Sequence, residues 1–147
     1  MKAPWVVAVI ALVAGLASAG PSKLQAYEGQ LVISPDPAPS SADELPGYLK
    51  ANATADHHYE LIKGPPWEVN LVAVLAKESG SVTLVFALAS DKQLTAIQSL
   101  DVPVKNGLVL AHTVATVAAG FELNQTYVVR LMRKTKVIAR AELKLRG

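Results

Sequence analysis

Ligand-type side chains cluster once along this chain, at His57-His58-Tyr59-Glu60, and His112 is the third histidine. On a strand, adjacent residues point to opposite faces, so His57 and His58 do not readily share one metal ion. His58 and Glu60 do share a face, and His112 joins them only if its strand is a neighbour. A zinc or copper site needs three or four such groups with oriented supporting partners, and no spacing here supplies that. The sequence predicts no metal ion and no cofactor, and the cluster reads as the polar start of an exposed strand. A small metal-dependent enzyme or metallochaperone using His57, His58 or His112 is the least favoured of the functions considered.

Catalytic motifs are missing as well. There is no G-x-S-x-G elbow, no H-E-x-x-H, no phosphate-binding Walker loop and no G-x-G-x-x-G, so hydrolase, metalloprotease and nucleotide-binding functions lose their usual support. The chain has no cysteine, which removes thiol catalysis, thiolate metal sites and iron-sulfur clusters. A Ser-His-Asp set is recognised by geometry and not by order, so it has to be judged in space. The expectation is a protein that is not an enzyme.

Charge is the asymmetric feature. Residues 20–129 hold six Lys and eleven Asp or Glu, a net of −5, whereas residues 130–147 hold seven Lys or Arg and one Glu, a net of +6. Arg130, Lys136, Arg140 and Lys144 are therefore the candidate binding residues, facing an anionic glycan, lipid head groups or an acidic protein surface. The plainer explanation is favoured at this point: cations on an edge strand keep sheets from pairing edge to edge. Nucleic acid is not expected, because no aromatic residues interleave with the basic ones for base stacking.

The elements that must position these residues follow a leader. Lys2, the apolar run Trp5 to Leu16 and the small triplet Ala17-Ser18-Ala19 have the layout of a secretory signal peptide spanning residues 1–19, with the cut before Gly20. The run is shorter than the about 20 residues that a membrane-spanning helix needs, and no later segment is longer. The expected location is secreted or periplasmic. Two sequons, Asn52-Ala-Thr54 and Asn124-Gln-Thr126, decide nothing at this frequency. Residues 20–46 read as an N-terminal strand at Leu31-Val32-Ile33 followed by the Pro/Ser-rich stretch from Ser34 to Asp43, and residues 47–147 read as one β-domain.

Within that domain, period-two runs rich in Val, Leu and Thr predict strands at His57–Lys63, Trp67–Lys77, Val82–Ala89, Leu94–Val104, Leu108–Val117, Thr126–Met132 and Lys136–Leu145. With the N-terminal strand, an antiparallel sandwich of seven to eight strands is expected. A four-residue loop Lys77-Glu78-Ser79-Gly80 would pair Leu75 with Val82, Ala73 with Leu84 and Leu71 with Phe86. Asn106-Gly107 signals a type I′ hairpin pairing Val104 with Val109 and Val102 with Ala111, at a sheet edge because Pro103 lacks an N–H. In the last hairpin a three-residue loop, Arg133 to Thr135, sets Val137, Ala139, Ala141, Leu143 and Leu145 inward, in parity with Tyr127, Val129 and Leu131. Lys136, Ile138, Arg140, Glu142, Lys144 and Arg146 then face outward. A helix over Ala42–Lys50 is expected to break at Pro46-Gly47.

The stretch Gly120-Phe-Glu-Leu-Asn-Gln-Thr-Tyr-Val-Val-Arg-Leu, ending at Leu131, resembles the loop and strand in which fibronectin type III and other immunoglobulin-like domains place a corner tyrosine, here Tyr127. Trp67 would supply the buried tryptophan of an early strand. The resemblance implies an immunoglobulin-like sandwich and no particular activity, since such folds host adhesion, chaperone, receptor and accessory roles alike. The function expected is a non-enzymatic interaction or structural module whose partner is another envelope or extracellular protein or an anionic surface.

Overall fold

Runs of apolar residues rich in Val and Leu make strands, and the computed structural model, which describes residues 24–75 and 80–147, contains eight of them. They are β1 (Leu31–Ser34), β2 (His58–Leu61), β3 (Trp67–Val74), β4 (Gly80–Leu88), β5 (Ala96–Val104), β6 (Leu108–Ala115), β7 (Gln125–Arg133) and β8 (Lys136–Leu145). Two short 3-10 turns, Gln25–Tyr27 and Ala42–Glu44, and one helix, α1 (Leu45–Asn52), complete the order. The expected leader and most of the Lys77-to-Gly80 loop lie outside the described residues. Among the described residues, no helix is long and apolar enough to cross a membrane.

The strands form two sheets, β1-β3-β6 and β2-β8-β7-β4-β5, so the chain is an all-β sandwich. Trp67, Val69 and Leu71 on the smaller sheet face Phe86, Tyr127, Val129, Leu131 and Leu143 on the larger one, all of them almost fully buried. Phe121, in the connection before β7, packs edge-on against both Phe86 (centroids 5.7 Å apart) and Tyr127 (5.0 Å), the geometry that ring quadrupoles favour.

Several expected pairings are corrected. β3 pairs with β1 and β6, and β4 with β5 and β7, so Ala73 lies opposite Leu31 and Val109, and Leu84 opposite Leu100 and Leu131. The β3–β4 connection crosses between sheets and is no hairpin. At Asn106-Gly107 the turn itself forms: both residues have positive φ (52° and 76°), and Lys105 and Leu108 exchange backbone hydrogen bonds. The strands then part, Val104 pairing with Gly80 and Val109 with Ala73. Each finds a sheet of its own to extend, and β5, with Pro103, does occupy a sheet edge. The sandwich is not wholly antiparallel, because β2 runs parallel to β8.

Two local expectations also change. The helix runs through Pro46-Gly47, with Pro46 in its first turn, where a missing N–H costs nothing because that donor would have no intrahelical partner. Leu45 and Leu49, four residues apart on one face, are fully buried and α1 packs on β1. In the last hairpin the turn is tighter than expected, Arg133 lying opposite Lys136, and a bulge follows: Leu131 pairs with Ala139 but Met132 pairs with Val137. The extra residue, Ile138, reverses the parity beyond it. Val137 is consequently exposed, while Ala139, Ala141, Leu143 and Leu145 are buried as expected.

Candidate interaction surface

Alternation along β7 and β8 puts Tyr127, Val129, Leu131, Ala139, Ala141 and Leu143 into the core, so Arg130, Arg140, Glu142 and Lys144 project from the outer face of the larger sheet. The register then fixes their neighbours. Arg140 lies directly opposite Arg130, and Val85 of β4 opposite Arg130 on its other side. Glu142 lies between His58 of β2 and Val128, and Lys144 between Glu60 and Thr126. Three of the four expected binding residues thus share a face. Lys136 does not, because it pairs with Arg133, one position past the Met132–Val137 pair.

β2 covers the strand carrying Arg140 and Lys144 only from Glu142 to Leu145, so protection of an exposed edge, the plainer explanation of these cations, loses its premise at Lys144 and keeps it at Arg140. The acidic groups on this face are engaged elsewhere. Glu142 Oε1 stands 3.5 Å from His58 Nδ1, and Glu60 Oε1 receives Arg146 Nη1 at 3.1 Å. Among the described residues, Arg140 and Lys144 have no carboxylate within ion-pair distance.

Arg130 is anchored from a loop. Its Nη2 donates to the Leu94 carbonyl at 2.9 Å, and its Nε is buried without a hydrogen-bond partner. Leu94 sits in the left-handed region (φ 50°), not on a strand as the sequence suggests. Its conformation is set by Asp91, whose carboxylate accepts the Thr95 and Gln93 N–H groups at 3.0 Å each and whose carbonyl accepts the Leu94 N–H at 3.0 Å. The backbone donors of Thr95, then of Gln93, hold the Asp91 carboxyl below the usual carboxylate range. A depressed folded value means that this tie is fully present above the ordinary carboxylate pKa and is lost as pH falls through the lower folded one. The Gln93 and Thr95 amides should therefore stay protected from exchange at neutral and mildly acidic pH and open only on stronger acidification. Opening already near pH about 6, well above carboxylate titration, would show that Asp91 does not hold the loop.

The histidines do not assemble. His112 lies on β6 in the other sheet, against Glu68 of β3, Nε2 to Oε1 2.6 Å. His58 has Glu142 beside Nδ1 and Glu60 beside Nε2, on opposite sides of the ring, so the carboxylates do not converge on one point. Among the described residues, no three potential metal ligands gather. The row Ser34–Asn70–His112 crosses the smaller sheet, but β3 separates Ser34 from His112. Two inter-strand spacings, roughly 10 Å, put that hydroxyl beyond reach of the ring. Ser34 Oγ instead accepts the Asp36 N–H, Asn70 donates to the Pro35 carbonyl, and Tyr48 Oη donates to the Asp36 carbonyl. These bonds tie the proline-rich segment to the sheet.

Tyr127 is buried, and its Oη accepts the Glu122 N–H at 2.7 Å. Burial raises its pKa above the usual phenol value, the Glu122 bond opposing in part. No protein-family model, curated protein or solved structure matches this chain.

Proposed function

We propose that the chain is a secreted or periplasmic, non-enzymatic β-sandwich of immunoglobulin-like type that works as an interaction module. Strand order supports the finer fold: β1-β3-β6 against β8-β7-β4-β5, with β2 added in parallel beside the last strand. The Tyr127 hydroxyl bonded to the backbone five residues upstream fits a tyrosine corner, and Trp67 is fully buried at the start of β3. Secretion rests on the layout of residues 1–19.

The surface through which the module acts is the outer face of the β7–β8 hairpin, and its ligand is an anionic glycan, lipid or protein surface. One observation carries this reading. Arg140 and Lys144 have no carboxylate within ion-pair distance among the described residues, and Lys144 stands where β2 and β7 both flank β8, so edge protection does not account for Lys144. Arg130 stands on the same face, whereas Lys136 does not.

The test uses residues 20–147 and vesicles of phosphatidylcholine with and without phosphatidylglycerol, alongside a dextran sulfate column. Binding is expected at low salt and should weaken as the Debye length shrinks from about 30 Å at 0.01 M to about 8 Å at physiological ionic strength. Reversal of Arg140 and Lys144 to Glu should abolish it. Absence of low-salt binding to both matrices, or binding indifferent to the reversal, rejects the surface. Robust turnover of ester, peptide or glycoside substrates rejects the non-enzymatic reading.

A further inference from the structure

We propose that the open half of β8, from Lys136 to Ala141, takes an extended acidic segment of a partner protein as an added strand. The inference rests on the reading of the chain as an interaction module for an anionic partner, and it fixes where that partner's backbone lies.

The unpaired stretch follows from where β2 stops. Glu142 N–H donates to the His57 carbonyl at 2.9 Å and Arg146 N–H to the Leu61 carbonyl at 2.8 Å, so the even-numbered residues of this part of β8 turn their backbone groups toward β2. The same alternation points the Arg140 N–H and C=O to that side, where β2 has ended. A longer parallel pair would give the His57 N–H to the Arg140 carbonyl, but it donates to the Thr54 carbonyl at 3.3 Å. His57 has a φ of 55°, and the His58 N–H is held by Thr54 Oγ1 and Asp56 Oδ1 at 3.1 Å each. This turn carries the chain off the sheet. Among the described residues, no strand pairs with that side of Lys136–Ala141.

A strand edge with unpaired donors and acceptors is a template for another strand. Its side chains select which one. Lys134, Lys136 and Arg140 fall within residues 134–141 and no carboxylate does. A second copy laid antiparallel across Ile138 would set Lys136 opposite Arg140, like charge on like. Edge cations thus repel a basic strand and admit an acidic one. Val137 is 43% exposed, an apolar side chain that edge protection alone does not call for. The fitting segment carries carboxylates on the outer face, where Arg140 projects, and apolar side chains on the face of the buried Ala139 and Ala141.

The experiment follows amide exchange of the chain by NMR, with a capped peptide alternating Glu and Val, long enough to span Lys136–Ala141, as the probe. In the dilute chain alone, the Arg140 N–H should exchange as an open amide while the Glu142 N–H, bonded to His57, stays protected. At ten times its dissociation constant the peptide should slow Arg140 exchange about 11-fold. A peptide alternating Lys and Val, and the Glu-Val peptide with its backbone N-methylated, should leave it unchanged.

An Arg140 N–H already protected in the dilute chain would overturn the proposal, as would equal slowing by the Lys-Val peptide or no slowing by the Glu-Val one. Protection that rises with protein concentration in the absence of peptide would give the edge to a second copy and overturn it too. The two readings fail separately. Slowing confined to the unmethylated acidic peptide, without vesicle or dextran sulfate binding, keeps the added strand and rejects the broad surface. Vesicle binding lost on reversal of Arg140 and Lys144, with no slowing by the peptide, keeps the surface and rejects the strand.

Discussion

Leu143→Ala should cost the fold about 2–5 kcal/mol, whereas Lys144→Ala, one residue further along the same strand, should stay within about 0.5 kcal/mol. Leu143 is fully buried and lies between Tyr59 of β2 and Tyr127 of β7, two large side chains that cannot collapse far into the space an alanine would leave. Truncation therefore loses transfer energy and adds a residual cavity. Lys144 points the other way, between Glu60 and Thr126, with no ion pair among the described residues. Urea titrations of the two variants decide the matter. Equal destabilisation would mean that β8 is not buried on one face only, and the separation between a folding face and a binding face would fall with it.

That separation was legible in the sequence because period-two alternation reports which face a residue takes. Tyr127, Val129 and Leu131 inward and Arg130 outward follow from it, and so do Leu143 inward and Lys144 outward. Alternation does not report the neighbouring strand. Ala73 and Leu84 are both core residues, as their parity requires, yet they sit on opposing sheets, and a short connection between two apolar runs looks the same whether it folds back or crosses over. Asn106-Gly107 shows the limit from the other side: the turn chemistry is right, but the partners of Val104 and Val109 are chosen by β4 and β3. Parallel pairing of β2 with β8 joins His58 to Glu142, a separation along the chain over which no local signal exists.

The candidate surface was half legible for the same reason. Three of its cations follow from alternation, but the opposition of Arg130 to Arg140 needs the register, which depends on a two-residue turn and a bulge at Ile138. Lys136 fell on the wrong side because that bulge breaks the alternation on which its placement rested. The Leu94 anchor carried no signal beyond the turn-forming Asp91, since Leu94 reads as a strand residue until its backbone is seen in the left-handed region.

The second large effect lies beside the end of β8, where Gly64 packs against Trp67. Trp67 opens β3 fully buried, and its Nε1 donates to the Arg146 carbonyl at 2.7 Å, so the indole both fills the core and ties down the chain end. A Cβ at Gly64 would overlap Trp67 Cδ1, Nε1 and Cγ. Something must move, and the ring cannot swing away without breaking its bond to Arg146. Trp67→Ala should cost about 3–5 kcal/mol and Gly64→Ala about 1–3 kcal/mol by overpacking. The informative quantity is their coupling: with the indole gone, Gly64→Ala should become nearly neutral, because the methyl then enters space that the ring vacated. A double-mutant cycle by urea titration, run with a stabilising osmolyte to keep the doubly substituted chain folded, measures it. Simple additivity of the two costs would show that Gly64 is not held by contact with the ring, and the packing assigned to this end of the sandwich would have to be redrawn around the backbone of residues 64–66 instead.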